Sequence, residues 1–200
     1  MRVDVITLHA VQNYGSVLQA LATQKLLEKH GCEVKIINYI REDVRYKNIL
    51  QARSNGNIIK KIVLYPNVKK WEKVFKGFCN EYLNLTDRSY TTENDFKDYP
   101  LDADMFCTGS DQVWNSKWNQ GIISPLYLSF VPEDKFRFSL AASFGQDKLS
   151  QDEVKATKKY IEKYNCISVR ESSGKKIIEQ QYKYSYAEHI IDPTLMLDDD

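Results

Sequence analysis

The feature that most constrains the fold of this chain is a strand, a loop, a helix, a glycine and a second strand in succession at the N-terminus. β-branched and apolar residues predict a strand from Arg2 to Leu8, and the apolar spacing predicts a helix from about Ser16 to His30. Gly31 follows where a helix commonly ends in a left-handed residue, and Glu33–Tyr39 predicts the next strand. Such a βαβ unit joins two parallel strands through a right-handed crossover.

Short apolar runs and polar loops alternate again after Asp102. The pattern predicts strands over 104–108, 136–142 and 166–169, helices over 150–164 and 175–181, and a last apolar run over 189–191. A chain of 200 residues predicts one domain, or one and a fraction. We therefore expect an α/β, Rossmann-like fold, with a largely parallel sheet flanked by helices.

Residues 41–100 interrupt this alternation and are interpreted as a variable helical insertion. The charged stretch 41–56 predicts a loop or a poorly ordered segment, and 57–83 predicts a helix broken at Pro66. Four aromatic side chains share one face of that helix: Trp71, Phe75, Phe78 and Tyr82. Because large aromatic residues are mostly buried, we expect this face to pack against the core.

The charge balance gives no reason to expect nucleic acid as a partner. The chain has 28 Lys and Arg against 27 Asp and Glu, for a formal net charge of +1, and neither half is strongly basic. The pairs Lys60-Lys61 and Lys69-Lys70 are interpreted as solvated faces.

Cysteine usage and hydropathy predict a cytoplasmic protein without a metal site. No two cysteines lie at metal-ligand or redox spacing, and Cys107 and Cys166 fall in predicted strands, so buried free thiols in a reducing compartment are expected. No apolar run is long enough to cross a bilayer, and the first residues do not resemble a secretory signal.

Five polar or charged loops follow directly on predicted strands. Because the carboxyl ends of parallel strands share one edge, where open α/β sheets bind ligands, these loops should converge on one site. They are Asn13–Ser16, Gly109–Asn115, Ser143–Gly145, Arg170–Gly174 and Asp192–Thr194. His9 is the only histidine that the pattern places near this edge.

The segment Asn13-Tyr14-Gly15-Ser16 brings a glycine and a hydroxyl to the start of the first predicted helix. Free N–H groups and the helix dipole favour an anion or a sugar hydroxyl there, although a plain N-cap serine beside a turn glycine explains the same residues equally well. The segment is neither a GxGxxG fingerprint nor a P-loop, so it does not support a dinucleotide or a nucleoside triphosphate.

Residues 109–115, Gly-Ser-Asp-Gln-Val-Trp-Asn, form the segment richest in functional groups. A carboxylate, a carboxamide, a hydroxyl and an aromatic ring so close together suit a sugar. The alternative is a local turn in which Asp111 accepts from backbone donors while Trp114 packs beneath it. Arg170 could bind a carboxylate or phosphate in bidentate fashion, or pair with Glu171 instead. Asp192 before Pro193 favours a structural turn.

Taken in order, these segments resemble the polysaccharide pyruvyl transferase family. The likeness rests on residues 13–16 with Gln19-Ala20-Leu21, on 109–115, on 141–145, on 168–171 and on Asp192-Pro193-Thr194. The segment 109–115 is the most distinctive part of it. The likeness weakens across 41–100.

The resemblance implies transfer of pyruvate from phosphoenolpyruvate onto two hydroxyls of a cell-surface glycan sugar, which forms a cyclic ketal. Phosphoenolpyruvate is then the donor substrate, no cofactor is needed, and the acceptor is a nucleotide- or lipid-linked sugar. The resemblance also implies a GT-B-like two-domain architecture in which residues 1–200 form the N-terminal, acceptor-side domain. A C-terminal domain would complete the active-site cleft and serve phosphoenolpyruvate, so the 200-residue chain alone is expected to be inactive.

Two residues are the catalytic candidates within this half. Asp111 would hold or deprotonate an acceptor hydroxyl, and Arg170 would approach the donor carboxylate. The remaining candidates would bind substrate: Asn13, Tyr14, Gly15, Ser16, Gly109, Ser110, Gln112, Trp114, Ser143 and Gly145.

Two other functions fit the same sequence. One is a GT-B glycosyltransferase that uses a nucleotide sugar, with the donor bound by the absent domain. The other is a non-catalytic domain that binds a glycan or a protein of envelope biosynthesis. Neither is excluded by the residues, because site chemistry and not fold decides function.

Overall fold

The structure is a computed structural model that describes residues 1–197, with the side chain of Tyr46 left out. Seven strands are present in this part of the chain: β1 (Arg2–Ile6), β2 (Glu33–Tyr39), β3 (Leu85–Tyr90), β4 (Met105–Thr108), β5 (Phe136–Ala142), β6 (Cys166–Val169) and β7 (Glu188–His189). The strands form one sheet in the order β3-β2-β1-β4-β5-β6-β7, and every neighbouring pair is parallel. This confirms the predicted α/β, Rossmann-like class.

Helices connect the strands on both faces of the sheet. They are α1 (Tyr14–Lys29), α2 (Tyr46–Ser54), α3 (Ile58–Tyr82), α4 (Glu93–Asp98), α5 (Gln151–Ile161) and α6 (Ser172–Lys176), which continues into a π-helical turn at Ile177–Gln181. Short 3₁₀ turns lie at Glu42–Val44, Ser124–Tyr127 and Pro193–Leu195.

The central strands are apolar on both faces because helices cover both sides of a parallel sheet. Val3 and Val5 of β1 pack with α1 and α3, whereas Ile6 packs with the core on the opposite face. Val3 lies opposite Val34 of β2 on one side and Met105 of β4 on the other, which fixes the register at the centre of the sheet. The carboxyl ends of β1 and β4 are thereby held side by side.

The region 41–100 differs most from its prediction. The stretch expected to be a loop contains α2, and β3 and α4 were not predicted. β3 has the sequence Leu-Thr-Asp-Arg-Ser-Tyr, which lacks the apolar run of a central strand because it forms the edge of the sheet. The predicted break at Pro66 is also wrong, since α3 runs through it. Pro66 has no N–H to donate to the carbonyl of Ile62, four residues earlier in the helix. Both residues lie on the solvent side, where water can bond to that carbonyl.

Burial corrects two further expectations. Phe75 is buried, but Trp71 and Phe78 are half-buried and Tyr82 is exposed, so only part of the aromatic face of α3 is core. Cys107 is buried as expected, whereas Cys166 is exposed because it begins β6 at the rim of the sheet. All four cysteines are free thiols, and burial raises the pKa of Cys79 to about 11. Within residues 1–197, no helix has the length and apolarity to span a membrane.

Candidate functional site

The candidate site lies where the strand order reverses, between β1 and β4. The chain passes from β1 outward to β2 and β3 and then returns to place β4 on the other side of β1. The connections after the two strands diverge there and leave a crevice, which is where doubly wound sheets bind ligands. A cleft of about 450 Å³ occupies this position. Four of the five predicted loops contribute to its walls, through Asn13, Ser16, Asp111, Arg170 and Asp192.

The N-terminus of α1 forms one wall. Asn13, rather than Ser16, is the N-cap residue, and its Oδ1 accepts from the backbone N–H of Ser16 at 3.3 Å. The Ser16 hydroxyl is therefore free to point across the cleft, where it donates to Oδ2 of Asp111 at 2.6 Å. The anion expected at this helix N-terminus is thus the protein's own carboxylate, stabilised by the positive end of the helix dipole.

Asp111 is held in a strained backbone conformation. Its φ of +89° is rare for a residue with a side chain, and such strain costs on the order of 1–3 kcal/mol. The carbonyl of Asp111 accepts from Ser143 N at 3.0 Å, and Trp114 N donates to the Ser143 carbonyl at 3.0 Å, so the loop is bonded to the end of β5. Oδ1 of Asp111 accepts from Gln112 N at 2.8 Å. The surrounding hydrogen bonds fix the direction of the carboxylate.

Arg170 lies among three carboxylates. Its Nη1 is 3.0 Å from Asp192 Oδ2, its Nε is 3.1 Å from Glu171 Oε1, and its Nη2 is 3.8 Å from Asp111 Oδ1. Within residues 1–197 it is the only cationic side chain that lines the cleft. The sequence offered an ion pair with Glu171 as the alternative role of Arg170, and this ion pair is present. The cleft therefore carries more negative than positive charge.

The pKa values in this cluster follow from its hydrogen bonds. Burial by itself would raise the pKa of Asp192, but bonds donated by Thr194, Ser110 and Arg170 outweigh it, and the pKa lies below the ordinary value. Burial likewise opposes the charge of Arg170, yet its bonds to Asp192 and Glu171 raise its pKa. Both groups remain charged around neutral pH, and Asp192 also caps the 3₁₀ turn that follows it.

Trp114 supports the site from beneath. Its side chain is 0% exposed, its Nε1 donates to the Leu126 carbonyl at 3.1 Å, and its ring packs against Tyr127, Phe144 and Tyr164. The expectation that Trp114 contacts a sugar is corrected, because a buried ring offers no face to a ligand.

Other predicted residues have the same supporting role. Ser110 and Ser143 are fully buried, and their hydroxyls donate to Asp192 and Glu171. Gly109 lets its loop approach β1, since a Cβ there would lie 3.0 Å from the Thr7 side chain. Gly145 has a φ of +56°, and a Cβ would lie 2.6 Å from Asn115 Nδ2.

Tyr14 projects away from the acidic cluster. It is exposed, and its ring lies against Trp71 and Phe75 of α3. Gly15 and Gln112 line the cleft as expected. A Cβ at Gly15 would lie 3.1 Å from Asn13 Oδ1, so the glycine leaves room for the cap.

Gln19 and Trp118 also line the cleft, although the sequence interpretation named neither as a site residue. Nε2 of Gln19 donates to Thr7 Oγ1 and to the Ser16 carbonyl, while its buried Oε1 has no partner among the described residues. Trp118 is 58% exposed, four residues after the buried Trp114. Only the three-dimensional arrangement distinguishes the two indoles, because both occur in a short polar stretch.

A second cleft of about 620 Å³ lies at the other side of β1, between the end of β2 and helices α2 and α3. His9 lines this second cleft rather than the first, which corrects its expected position. Burial lowers the pKa of His9, and its ring nitrogens lie 3.4 Å from the Thr7 carbonyl and from Asn38 Oδ1. Among the described residues, no group of three His, Cys, Asp or Glu side chains is arranged to hold a metal ion.

Comparison with known proteins gives one match. Neither the curated proteins nor the solved structures include one that matches this chain. The family model for polysaccharide pyruvyl transferase matches residues 13–200. That match begins at the cap of α1, includes all five loops of the carboxyl edge and covers most of the chain. The chain therefore belongs to the polysaccharide pyruvyl transferase family.

Proposed function

We propose that this chain is the acceptor-side domain of an enzyme that transfers pyruvate from phosphoenolpyruvate to a sugar as a cyclic ketal. The family match supports the reaction class. The observation that carries the acceptor role is the Asp111 carboxylate, which Ser16 and Gln112 N orient at the wall of an open cleft. The acceptor would be a nucleotide- or lipid-linked sugar of a cell-surface glycan.

The reaction requires two carbon–oxygen bonds to form and one to break. A proton added to the methylene carbon of phosphoenolpyruvate makes the neighbouring carbon electrophilic, and the first sugar hydroxyl attacks that carbon and loses its proton. The second hydroxyl then attacks the same carbon and loses its proton, and phosphate leaves with the bonding electron pair of the carbon–oxygen bond that breaks. A base for the hydroxyls, an acid for the methylene carbon and cations for the phosphate are needed.

Asp111 is suited to hold an acceptor hydroxyl. A carboxylate has about four lone-pair positions, and hydrogen bonds from Ser16 and Gln112 N use two of them. Arg170 approaches Oδ1 but at 3.8 Å is beyond hydrogen-bond length. Capacity therefore remains for a sugar hydroxyl, whose proton Asp111 would accept. The exposed ring of Trp118 offers an apolar face beside it for the sugar ring.

The charge of the cleft argues against direct donor binding here. Three carboxylates, Asp111, Glu171 and Asp192, surround the single guanidinium of Arg170. An anionic donor would be repelled by this excess of negative charge. We therefore assign Arg170 the role of positioning the acidic side chains, in place of contact with the donor carboxylate. The cations for phosphoenolpyruvate would come from a second domain of a GT-B-like enzyme.

The reaction is tested by phosphorus NMR of the protein, with the proposed second domain present, in the presence of phosphoenolpyruvate and a panel of nucleotide- and lipid-linked sugars. Sugar-dependent release of inorganic phosphate is the expected result. Consumption of a nucleotide sugar while phosphoenolpyruvate persists would instead identify a glycosyltransferase. No reaction with any acceptor, in a folded protein, would contradict the proposed transfer and favour a binding role.

The role of Asp111 is tested with Asp111→Asn, which retains the shape of the side chain but is a far weaker base. We expect kcat for phosphate release to fall at least about 100-fold, as for loss of a general base. Asp134→Asn is the matched control, because Asp134 is exposed on a loop before β5, at the other end of the strands. Turnover of Asp111→Asn within a few-fold of the parent enzyme would remove Asp111 from the mechanism.

A further inference from the structure

The first half of α3 exposes aliphatic side chains on the side that faces away from the sheet. Four of them are about three-quarters exposed: Ile58 (73%), Ile59 (74%), Ile62 (69%) and Val63 (72%). Their spacing places them on one side of the helix. The opposite side of α3 carries Val68, Phe75 and Cys79, all of which are buried. The helix is thus apolar on both sides, and residues 1–197 cover only one of them.

Lysines continue the same side of the helix toward its C-terminus. Residues 69, 70, 73 and 76 follow 58, 59, 62 and 63 at helical spacing, and all four are lysines. Lys70 and Lys73 are exposed, Lys76 is exposed at the edge of the second cleft, and Lys69 pairs with Glu72 at 2.9 Å. We call this surface, Ile58, Ile59, Ile62 and Val63 together with these four lysines, the outward face of α3.

The charge of the chain is concentrated in the same region. Residues 45–76 contain nine Lys and Arg and a single acid, Glu72, which amounts to a net charge of +8. Since the whole chain has a net charge of +1, the remainder is acidic, with a net charge of −7. A near-neutral composition therefore hides a strongly cationic segment that coincides with the exposed aliphatic residues.

The size of the apolar patch distinguishes between possible occupants. At roughly 60–120 Å² of apolar area each, four such side chains cover about 250–500 Å². A stable protein interface buries about 800 Å² per partner, so this patch is too small to hold a second protein by apolar contact. A helix with aliphatic residues beside lysines is suited to the boundary of a bilayer, where the apolar groups enter the acyl region and the lysines meet anionic headgroups.

We propose that the outward face of α3 docks this domain on the surface of an anionic phospholipid membrane, with the helix lying in the plane of the interface. Ile58, Ile59, Ile62 and Val63 insert between the headgroups, and Lys70, Lys73 and Lys76 contact lipid phosphates. The docking is peripheral and reversible, because one short apolar patch and a few cations give modest affinity. It does not depend on the proposed transfer reaction.

The test is flotation of the chain with vesicles that contain no sugar acceptor. Vesicles of phosphatidylcholine mixed with phosphatidylglycerol should bind the chain, and phosphatidylcholine alone should bind it at least about tenfold more weakly, because each lysine near an anionic surface contributes favourably. The double variants Ile59→Glu with Val63→Glu, and Lys70→Glu with Lys73→Glu, should each lower binding to the mixed vesicles at least about tenfold. Ile122→Glu, an exposed aliphatic in a loop remote in sequence from α3, is the matched control and should bind as the parent does.

Circular dichroism of each variant establishes that it is folded, and sedimentation velocity gives its oligomeric state. Absence of binding to mixed vesicles, or binding that the α3 variants leave unchanged, would overturn the proposal. A dimer that Ile59→Glu with Val63→Glu dissociates, in a chain that does not bind vesicles, would overturn it in favour of self-association. Since phosphate release is not measured, failure of docking and failure of the proposed reaction are distinguishable.

Discussion

The cleft at the reversal of strand order and the outward face of α3 differ in how their side chains are held. In the cleft, Ser16 bonds to Asp111 and Arg170 pairs with Asp192, so each polar group has a fixed direction before a ligand arrives. On the outward face of α3, aliphatic side chains such as Ile59 and Ile62 extend into solvent. The proposed site for chemistry is preorganised by partners inside the protein, whereas the proposed docking surface would gain its partners on binding.

The largest expected change in stability is at Trp114, whose buried ring packs under the loop that carries Asp111. Trp114→Ala should lower the free energy of unfolding by about 3–5 kcal/mol, because it removes a fully buried indole and leaves a cavity. Urea denaturation of the chain measures this loss. Trp118→Ala is the control and should change the free energy by no more than about 0.5 kcal/mol, because Trp118 is exposed. Similar losses for both would contradict the assigned positions.

A smaller effect is expected at Gly145. Gly145→Ala should lower the free energy of unfolding by about 1–3 kcal/mol, because the new Cβ would clash with Asn115 and Gln112 and the backbone has a positive φ. The same substitution at Gly77 of α3, where a Cβ meets nothing within 4 Å, should be neutral or stabilising. Thermal denaturation of the two variants gives the comparison. Equal stability would mean that the loop after β5 adjusts and does not hold Gln112 in place.

The pH dependence of stability should reveal the acidic cluster. The folded state lowers the pKa of Asp192, so the ionised carboxylate stabilises the fold above the unfolded pKa of about 4, and this contribution is lost as pH falls through the folded pKa. Asp192→Asn should therefore be less stable than the parent at pH 7, by about 1 kcal/mol or less because the group is partly exposed. Urea denaturation across the acid range should show the difference narrowing below about pH 4. A constant difference would exclude this linkage.

The smallest effect is expected on the outward face of α3. Ile62→Asn should change the free energy of unfolding by no more than about 0.5 kcal/mol, because the side chain contacts mainly solvent. Val68→Ala, on the opposite side of the same helix, should lower the free energy of unfolding by about 1.5 kcal/mol or more, because two buried methyl groups are lost. Urea denaturation compares the two variants directly. A large loss for Ile62→Asn would show that this face already packs within the domain.

The regular parts of the fold were predictable because burial produces local periodicity. β2, β5 and β6 have the predicted bounds, and α1 and α5 differ only at their ends. The polar edge strand β3 was missed because an edge strand need not be apolar. α2 was missed because it lies within the charged stretch 41–56, which was interpreted as a loop. Pro66 was misleading, since a proline on the solvent side of a long helix can be accommodated.

The site was predictable in outline but not in its contacts. Strand and loop alternation alone placed the loops on one edge, and four of them do line one cleft. It did not give the ion pairs of Arg170 with Asp192 and Asp111, which lie 22 and 59 residues from it in sequence. Nor did it separate Trp114 from Trp118, since exposure of a loop residue depends on what the rest of the fold places above it.

The sequence by itself determined the α/β class, the edge of the sheet that carries the loops of the candidate site, and the family, because these depend on local periodicity and on motifs of consecutive residues. Only the tertiary structure decided that Asp111 faces the N-terminus of α1, that three carboxylates lie around Arg170, and that one side of α3 is left uncovered by residues 1–197. These features depend on the order and register of parallel strands, which bring together residues as far apart as Ser16 and Asp111, 95 positions from each other. Periodicity in the sequence indicates which side of a helix or strand is buried. Only the assembled sheet shows which residues that side contacts.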